Sequence, residues 1–343
     1  MRKNKSPCFI LIFLFLLSLA GFLLSGCTYR IPWLSSAPRP VSDLPAEAVL
    51  VDGAAIYDRT LQLIQSAQNS VYVQQAEFDD LQLMSLLAAQ SQAGIDVRIL
   101  LDQWQGVNRT TLDHLKSQNV SIQFYPAQRG QINHTKYVII DCKKAIIYGP
   151  SWTAAGWQAH DASVELSGKS AWKTAAAFAS DWELTTTGSL PVPQTTDLPE
   201  DNIIVARNTN VKQQLNAEIS ASKESIRIAI PEISDPDLIQ ALLDASEKLP
   251  EVCLILDREA MLDAPASLEK LMSKNIQIRY FPSEPRLGLR VAVFDNTCFI
   301  LSSFDWTRNA FVTNHEFSVT VPSPAASAKL GDLFQQGWEK SMK

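Results

Sequence analysis

Histidine is scarce in this chain: four residues in 343, His114, His134, His160 and His315. Cys, Asp and Glu do not join any of them at metal-ligand spacing, so the sequence shows no legible metal centre. Cysteine is nearly as sparse. Of five in all, only Cys142, Cys253 and Cys298 lie in the body of the chain. Three is an odd number and implies no complete disulfide framework, and Cys253 sits in an apolar run that reads as core. Surplus positive charge is also lacking, with a formal net charge of −6. An acidic body argues against broad electrostatic binding to nucleic acid, though not against a local basic pocket.

What is present begins with an export signal. Met1-Arg2-Lys3-Asn4-Lys5 is a basic segment, and the run from Cys8 to Leu24 is almost wholly apolar. Leu24-Ser25-Gly26-Cys27 follows, with small residues before the cut. This resembles the lipobox of bacterial lipoproteins, which implies that Cys27 is the first mature residue and carries the lipid. The alternative is an uncleaved membrane anchor, since the apolar run is near the lower limit for spanning. Either way the globular part is expected outside the cytoplasm, tethered to a membrane. Thr28, not an aspartate, follows Cys27; in a diderm bacterium this resembles the outer-membrane sorting pattern. Loss of Arg2, Lys3 and Lys5 with the signal makes the mature chain more acidic still. The expected division is residues 1–26 signal, 27–48 lipidated tether rich in proline, 49–185 first repeat, 186–202 linker and 203–343 second repeat.

The repeat is read from matched segments about 155 residues apart, a period that fits a duplicated domain. Helix-like runs Ala54 to Ala67 and Val211 to Ala221 precede the β-rich Ser70-Val71-Tyr72-Val73 and Ser225-Ile226-Arg227-Ile228. Glu77 and Glu232 follow, then amphipathic helices near residues 81–92 and 237–247. Arg98 to Asp102 matches Cys253 to Asp257, and Asn119 to Pro126 matches Asn275 to Pro282. Each copy ends on a helix with Phe-x-x-x-Trp: Phe178 with Trp182, and Phe334 with Trp338. Strands alternating with helices predict α/β architecture, two tandem repeats each with a mixed or parallel sheet flanked by helices.

The chemistry concentrates in Asn133-His134-Thr135-Lys136-Tyr137-Val138-Ile139-Ile140-Asp141, an H-x-K-x-x-x-x-D pattern. Side chains two apart on an extended segment share a face. His134 and Lys136 therefore stand together, a nucleophile or base beside a fixed positive charge that suits a phosphoryl group.

This motif, the short small-residue tetrapeptide after it and the duplicated α/β unit resemble the phospholipase D superfamily over essentially the whole body, Ala54 to Trp338. The resemblance implies two half-sites meeting at a pseudo-twofold axis, a phosphohistidine intermediate, and no metal or cofactor. It makes His134 the nucleophile and Lys136 the phosphate clamp. Asp141 would support the site through the motif's local structure. Asp161 and Glu316 fall where the family has carboxylates that orient histidine.

The second copy departs from the pattern. Gly288 stands for histidine, Arg290 for lysine, and only Asp295 survives. Asp305 replaces the asparagine of the following tetrapeptide, and Ser151 takes that slot in the first copy. Arg290 and Asp305, both at phosphate-contact positions together with Ser151, are expected to pair with each other. Three readings follow. One is a membrane-tethered phosphodiesterase, phospholipid favoured over nucleic acid, with Asp305, Glu316 or water replacing the lost acid. Another is an inactive binding or scaffold module. The third is a nuclease-type site built from two chains, against which the second copy already fills the partner face. Trp152 and Trp306 read as core, Trp104 and Trp157 as candidates for a cleft rim, and His160 and His315 as structural.

Overall fold

A computed structural model describes residues 40–186, 188–193, 198–259 and 265–342. Cys27 and the expected signal lie outside the described residues. No helix among the described residues is long and apolar enough to cross a membrane.

The body holds two seven-stranded mixed sheets. In the first repeat, β1 (Val49–Leu50), β2 (Ser70–Gln75), β3 (Asp96–Asp102), β4 (Ser121–Tyr125), β5 (Tyr137–Ile140), β6 (Lys144–Tyr148) and β7 (Ser163–Ser167) lie in the order β1-β7-β6-β5-β2-β3-β4. The second repeat uses β8 (Ile204–Arg207), β9 (Ser225–Ala229), β10 (Glu251–Asp257), β11 (Gln277–Phe281), β12 (Val291–Phe294), β13 (Cys298–Ser302) and β14 (Phe317–Val321). Their order is β11-β10-β9-β12-β13-β14-β8, the same path. The βαβ part of each repeat is parallel, β2 to β3 to β4 and β9 to β10 to β11, whereas the hairpins after the motif run antiparallel.

Strand alternation divides the buried side chains of the described residues between separate cores. On β5, Val138 and Ile140 join a first-repeat core beneath helices Gly53–Gln65, Leu81–Gln92 and Val107–Ser117. Tyr137 and Ile139 point the other way, into a core shared by both repeats. That shared core includes Phe178 and Trp182 on Gly168–Glu183 and Phe334 on Pro324–Lys340, so the Phe-x-x-x-Trp helices join the two halves. Cys142, Cys253 and Cys298 are buried, and none forms a disulfide among the described residues.

Across this join the chain pairs with itself by pseudo-twofold symmetry. The His134 N–H donates to the His315 carbonyl at 3.0 Å, and the His315 N–H donates to the Ile132 carbonyl at 2.8 Å. At the equivalent positions, the Gly288 N–H donates to the His160 carbonyl at 3.1 Å, and the His160 N–H donates to the Arg286 carbonyl at 3.0 Å. His160 and His315 are thus interface residues. His315 stacks on Tyr125 and lies 2.7 Å from Asp181, whereas His160 stacks on Phe281 and is pushed down to about 4 by burial and by Lys340.

Candidate active site

The paired backbone explains where the site forms. His134 and Lys136 precede β5, in the segment leading to its first residue. The Lys136 carbonyl accepts from the Tyr148 N–H at 2.9 Å, which fixes the segment against the end of β6. Because His134 pairs with His315, the next residue, Glu316, comes up beside the imidazole. Its Oε1 lies 3.0 Å from His134 Nδ1. A carboxylate accepts and does not donate, so Nδ1 carries the proton and the Nε2 lone pair is left free.

Glu316 is 1% exposed and held from several sides. Its Oε2 accepts from Ser303 Oγ at 3.1 Å, its backbone N–H donates to Asn208 Oδ1 at 3.0 Å, and its carbonyl accepts from the Asn208 N–H. Ser303 Oγ in turn accepts from the Phe317 N–H. The acid that orients His134 therefore comes from the opposite repeat, fixed by a serine of the degenerate tetrapeptide and an asparagine that sequence reading did not single out.

Lys136 is buried beside His134 and lines the same cavity of about 180 Å³. Burial and the neighbouring Arg290 charge lower its ammonium to about 8, against the pull of Asp161, Asp305 and Glu316. Ser151, Gly149, Thr153, Gln105 and Glu77 also line the cavity, as do Arg286, Gly288 and Arg290 of the second repeat. Arg286, in the loop before Gly288, is a further cation that the motif comparison missed.

Asp161 also lines the cavity, but it holds no histidine. It follows His160, so by the same symmetry that brings Glu316 to His134 it faces Gly288. A Cβ on Gly288 would stand 2.4 Å from Asp161 Oδ2, and one on Gly149 would stand 1.8 Å from Oδ1. The carboxyl is wedged between two glycines. Burial pushes it up to about 6, opposed by Lys136, Arg290 and Arg286.

Arg290 and Asp305 are paired, Nε to Oδ1 at 3.2 Å and Nη2 to Oδ2 at 3.3 Å, with Arg290 Nη1 donating to the Gly288 carbonyl at 2.9 Å. Arg290 is shared with a second cavity lined by Glu232, Asp257, Glu259 and Asp305. Carboxylates there repel a second phosphate, which makes the two half-sites chemically unlike.

Asp141 is not a cavity residue. Its carboxylate accepts from the backbone N–H groups of Gln68, Asn69 and Ser70, and Asp295 does the same for Lys223, Glu224 and Ser225. The last motif residue caps the turn into the first strand of each βαβ unit, which explains why it persists in the copy that lost the rest. Among the described residues no tryptophan lines the His134 cavity. Trp152 and Trp306 are core, Trp157 donates to Asp80 Oδ2 at 3.1 Å, and Tyr148 is turned into the core, its hydroxyl 2.7 Å from Thr60 Oγ1.

Two halves that exchange carboxylates around an H-x-K segment define a phospholipase D-like fold and site. The family described as "Cardiolipin synthase, PLD-like domain" matches residues 60–182 and again 215–338, most of the chain, and the chain belongs to that family. It is similar to the mitochondrial cardiolipin hydrolase of Xenopus laevis, 24% identical over 127 residues, which are 37% of this chain and 60% of that protein. The corresponding protein of Chlamydomonas reinhardtii is 21% identical over 121 residues, 35% of this chain and 54% of its own length. The chain thus spans little more than half of these curated relatives. In fold it resembles the phosphatidylserine synthase of Haemophilus influenzae Rd KW20, with a TM-score of 0.67 at 14% identity over 87% of this chain and 89% of that one. The polyphosphate kinase of Porphyromonas gingivalis gives 0.61 at 16% identity, covering 82% of this chain and 45% of its own.

Proposed function

We propose that this protein is a membrane-tethered phosphodiesterase that cleaves phospholipid head groups through a phosphohistidine at His134. The observation that carries the reading is His134 Nδ1 at 3.0 Å from the buried Glu316, with Lys136 on the same cavity wall. Nε2 attacks phosphorus, the bond to the leaving alcohol breaks, and Glu316 stabilises the imidazolium that develops. Lys136 neutralises the phosphoryl oxygens. Water then cleaves the P–N bond and frees His134. Phospholipid is favoured over nucleic acid by the acidic body and by the expected lipid on Cys27, which would hold the site at a membrane surface outside the cytoplasm. The names of the cardiolipin-related relatives agree with that substrate class.

The test is hydrolysis of phosphatidylglycerol and cardiolipin vesicles by the full-length chain, beside His134→Ala. Turnover lost in the variant, with an acid-labile phosphoryl adduct trapped on the wild type, supports the proposal. Absence of turnover and adduct from both sinks it. The Arg290–Asp305 pair filling the second half favours a second reading, a binding module. That reading predicts phospholipid binding that His134→Ala leaves intact, without turnover.

A further inference from the structure

We propose that Asp161 is the general acid of this site, taking the place of the histidine that Gly288 has lost. The inference rests on the proposed phosphodiesterase reading and names the proton donor within it. Its ground is the exchange geometry. Each repeat sends one carboxylate to the other repeat's motif position, Glu316 to His134 and Asp161 to Gly288. Where the second position carries no side chain, the carboxyl occupies the space itself, with Oδ2 at 2.4 Å from where a Cβ would be. Oδ1 is held by the Ala162 N–H at 2.7 Å. Among the described residues Oδ2 accepts no hydrogen bond, and the residue lines the cavity shared with His134 and Lys136.

Of the other carboxyls, Glu77 lines the first-repeat side of the cavity, and the two at the motif positions are engaged. Glu316 is bound to His134 and Ser303, and Asp305 to Arg290. Lys136, Arg290 and Arg286 face Asp161 with positive charge, yet burial outweighs them and raises its titration to about 6. A carboxyl that keeps its proton up to about pH 6 is suited to acid catalysis on the acid side of neutrality. The step balances: Nε2 of His134 forms the P–N bond, the P–O bond to the alcohol breaks, and the Asp161 proton passes to the departing oxygen. The resulting carboxylate then takes a proton from the water that attacks the phosphohistidine.

A donor matters when the leaving group is an alkoxide and little when it is 4-nitrophenolate. The experiment is therefore single-turnover release from dihexanoyl-phosphatidylglycerol and from bis(4-nitrophenyl) phosphate, by full-length wild type, His134→Ala and Asp161→Asn. His134→Ala is expected to abolish both reactions. Asp161→Asn is expected to slow glycerol release by about 10²–10⁴-fold and nitrophenolate release by less than about 10-fold. In the wild type, glycerol release falls as pH rises through about 6, and nitrophenolate release lacks that limb. The pH comparison needs no folded variant. If His134→Ala is inactive but Asp161→Asn slows both substrates equally, or both show the same alkaline limb, Asp161 is not the acid although the phosphohistidine reading stands. If the wild type releases neither product, both proposals fall.

Discussion

Removing the Arg290 guanidinium is expected to destabilise the fold. Loss of one partner from a fully buried ion pair costs about 3–5 kcal/mol, because the other charge is left without compensation. Here the side chains are 14% and 26% exposed for Arg290 and Asp305, respectively. Solvent reaches part of the orphaned carboxylate, which lowers the expectation to about 2–3 kcal/mol. The hydrogen bond from Nη1 to the Gly288 carbonyl contributes about 1 kcal/mol of its own. Relief of the repulsion between Arg290 and Lys136 works in the opposite direction and offsets about as much. The net figure for Arg290→Ala is thus about 2–3 kcal/mol, a fall in Tm of roughly 3–5 °C for a body of this size. Urea unfolding followed by circular dichroism measures it. The cycle Arg290→Met, Asp305→Leu and the double variant isolates the pair, with an expected coupling of about 1–3 kcal/mol and a double variant more stable than the two single losses predict. Single variants within about 0.5 kcal/mol of the wild type, or strictly additive losses, would refute the reasoning.

Three further outcomes follow from the same geometry. Glu316→Gln keeps a side chain of the same shape but lets its amide donate toward His134. Hydrolysis should fall by about 10²–10⁴-fold in kcat with little change in KM, and an equal loss in KM would contradict a role made in the transition state. Lys136 titrates at about 8 in the folded chain against 10.5 as its ordinary value. Inorganic phosphate should therefore bind more weakly as pH rises through about 8, and because the unfolded chain holds that proton longer, the Lys136 contribution to stability should rise with pH from about 8 to 10.5. Phosphate titrations of wild type and Lys136→Met across that range check the first part. Asp141→Ala and Asp295→Ala each strip the acceptor from three backbone N–H groups. Each should cost about 1–3 kcal/mol by denaturant unfolding, with similar losses in both repeats, and a large loss in only one would contradict the equivalence.

Much of the fold was legible because it is local and repeated. Alternating β-rich and helical runs set the βαβ units, and two copies in register made an accidental pattern improbable. Each strand supplies its own periodicity, so Tyr137 and Ile139 part from Val138 and Ile140 without reference to anything distant. The H-x-K pair was legible for the same reason: two residues apart in extended chain, His134 and Lys136 share a face wherever the segment is placed. Asp141 shows the limit of motif reading. Its place in the pattern grouped it with the site, yet its partners are three backbone N–H groups at the start of β2.

The partnership of carboxylates was not legible. The resemblance marked Asp161 and Glu316 as carboxylates that orient histidine, but nothing along the chain says that Glu316, 182 positions from His134, is the one that serves it, or that Asp161 faces the empty Gly288 position. Both follow from crossed backbone pairing, His134 with His315 and Gly288 with His160, which exists only when the two repeats dock. The sequence by itself determined the elements, the duplication and the chemical types present, since these depend on short-range periodicity and residue identity. The tertiary structure alone decided which acid serves which histidine position, because burial, charge and hydrogen-bond reach act through space and are set by the packing of one repeat against the other.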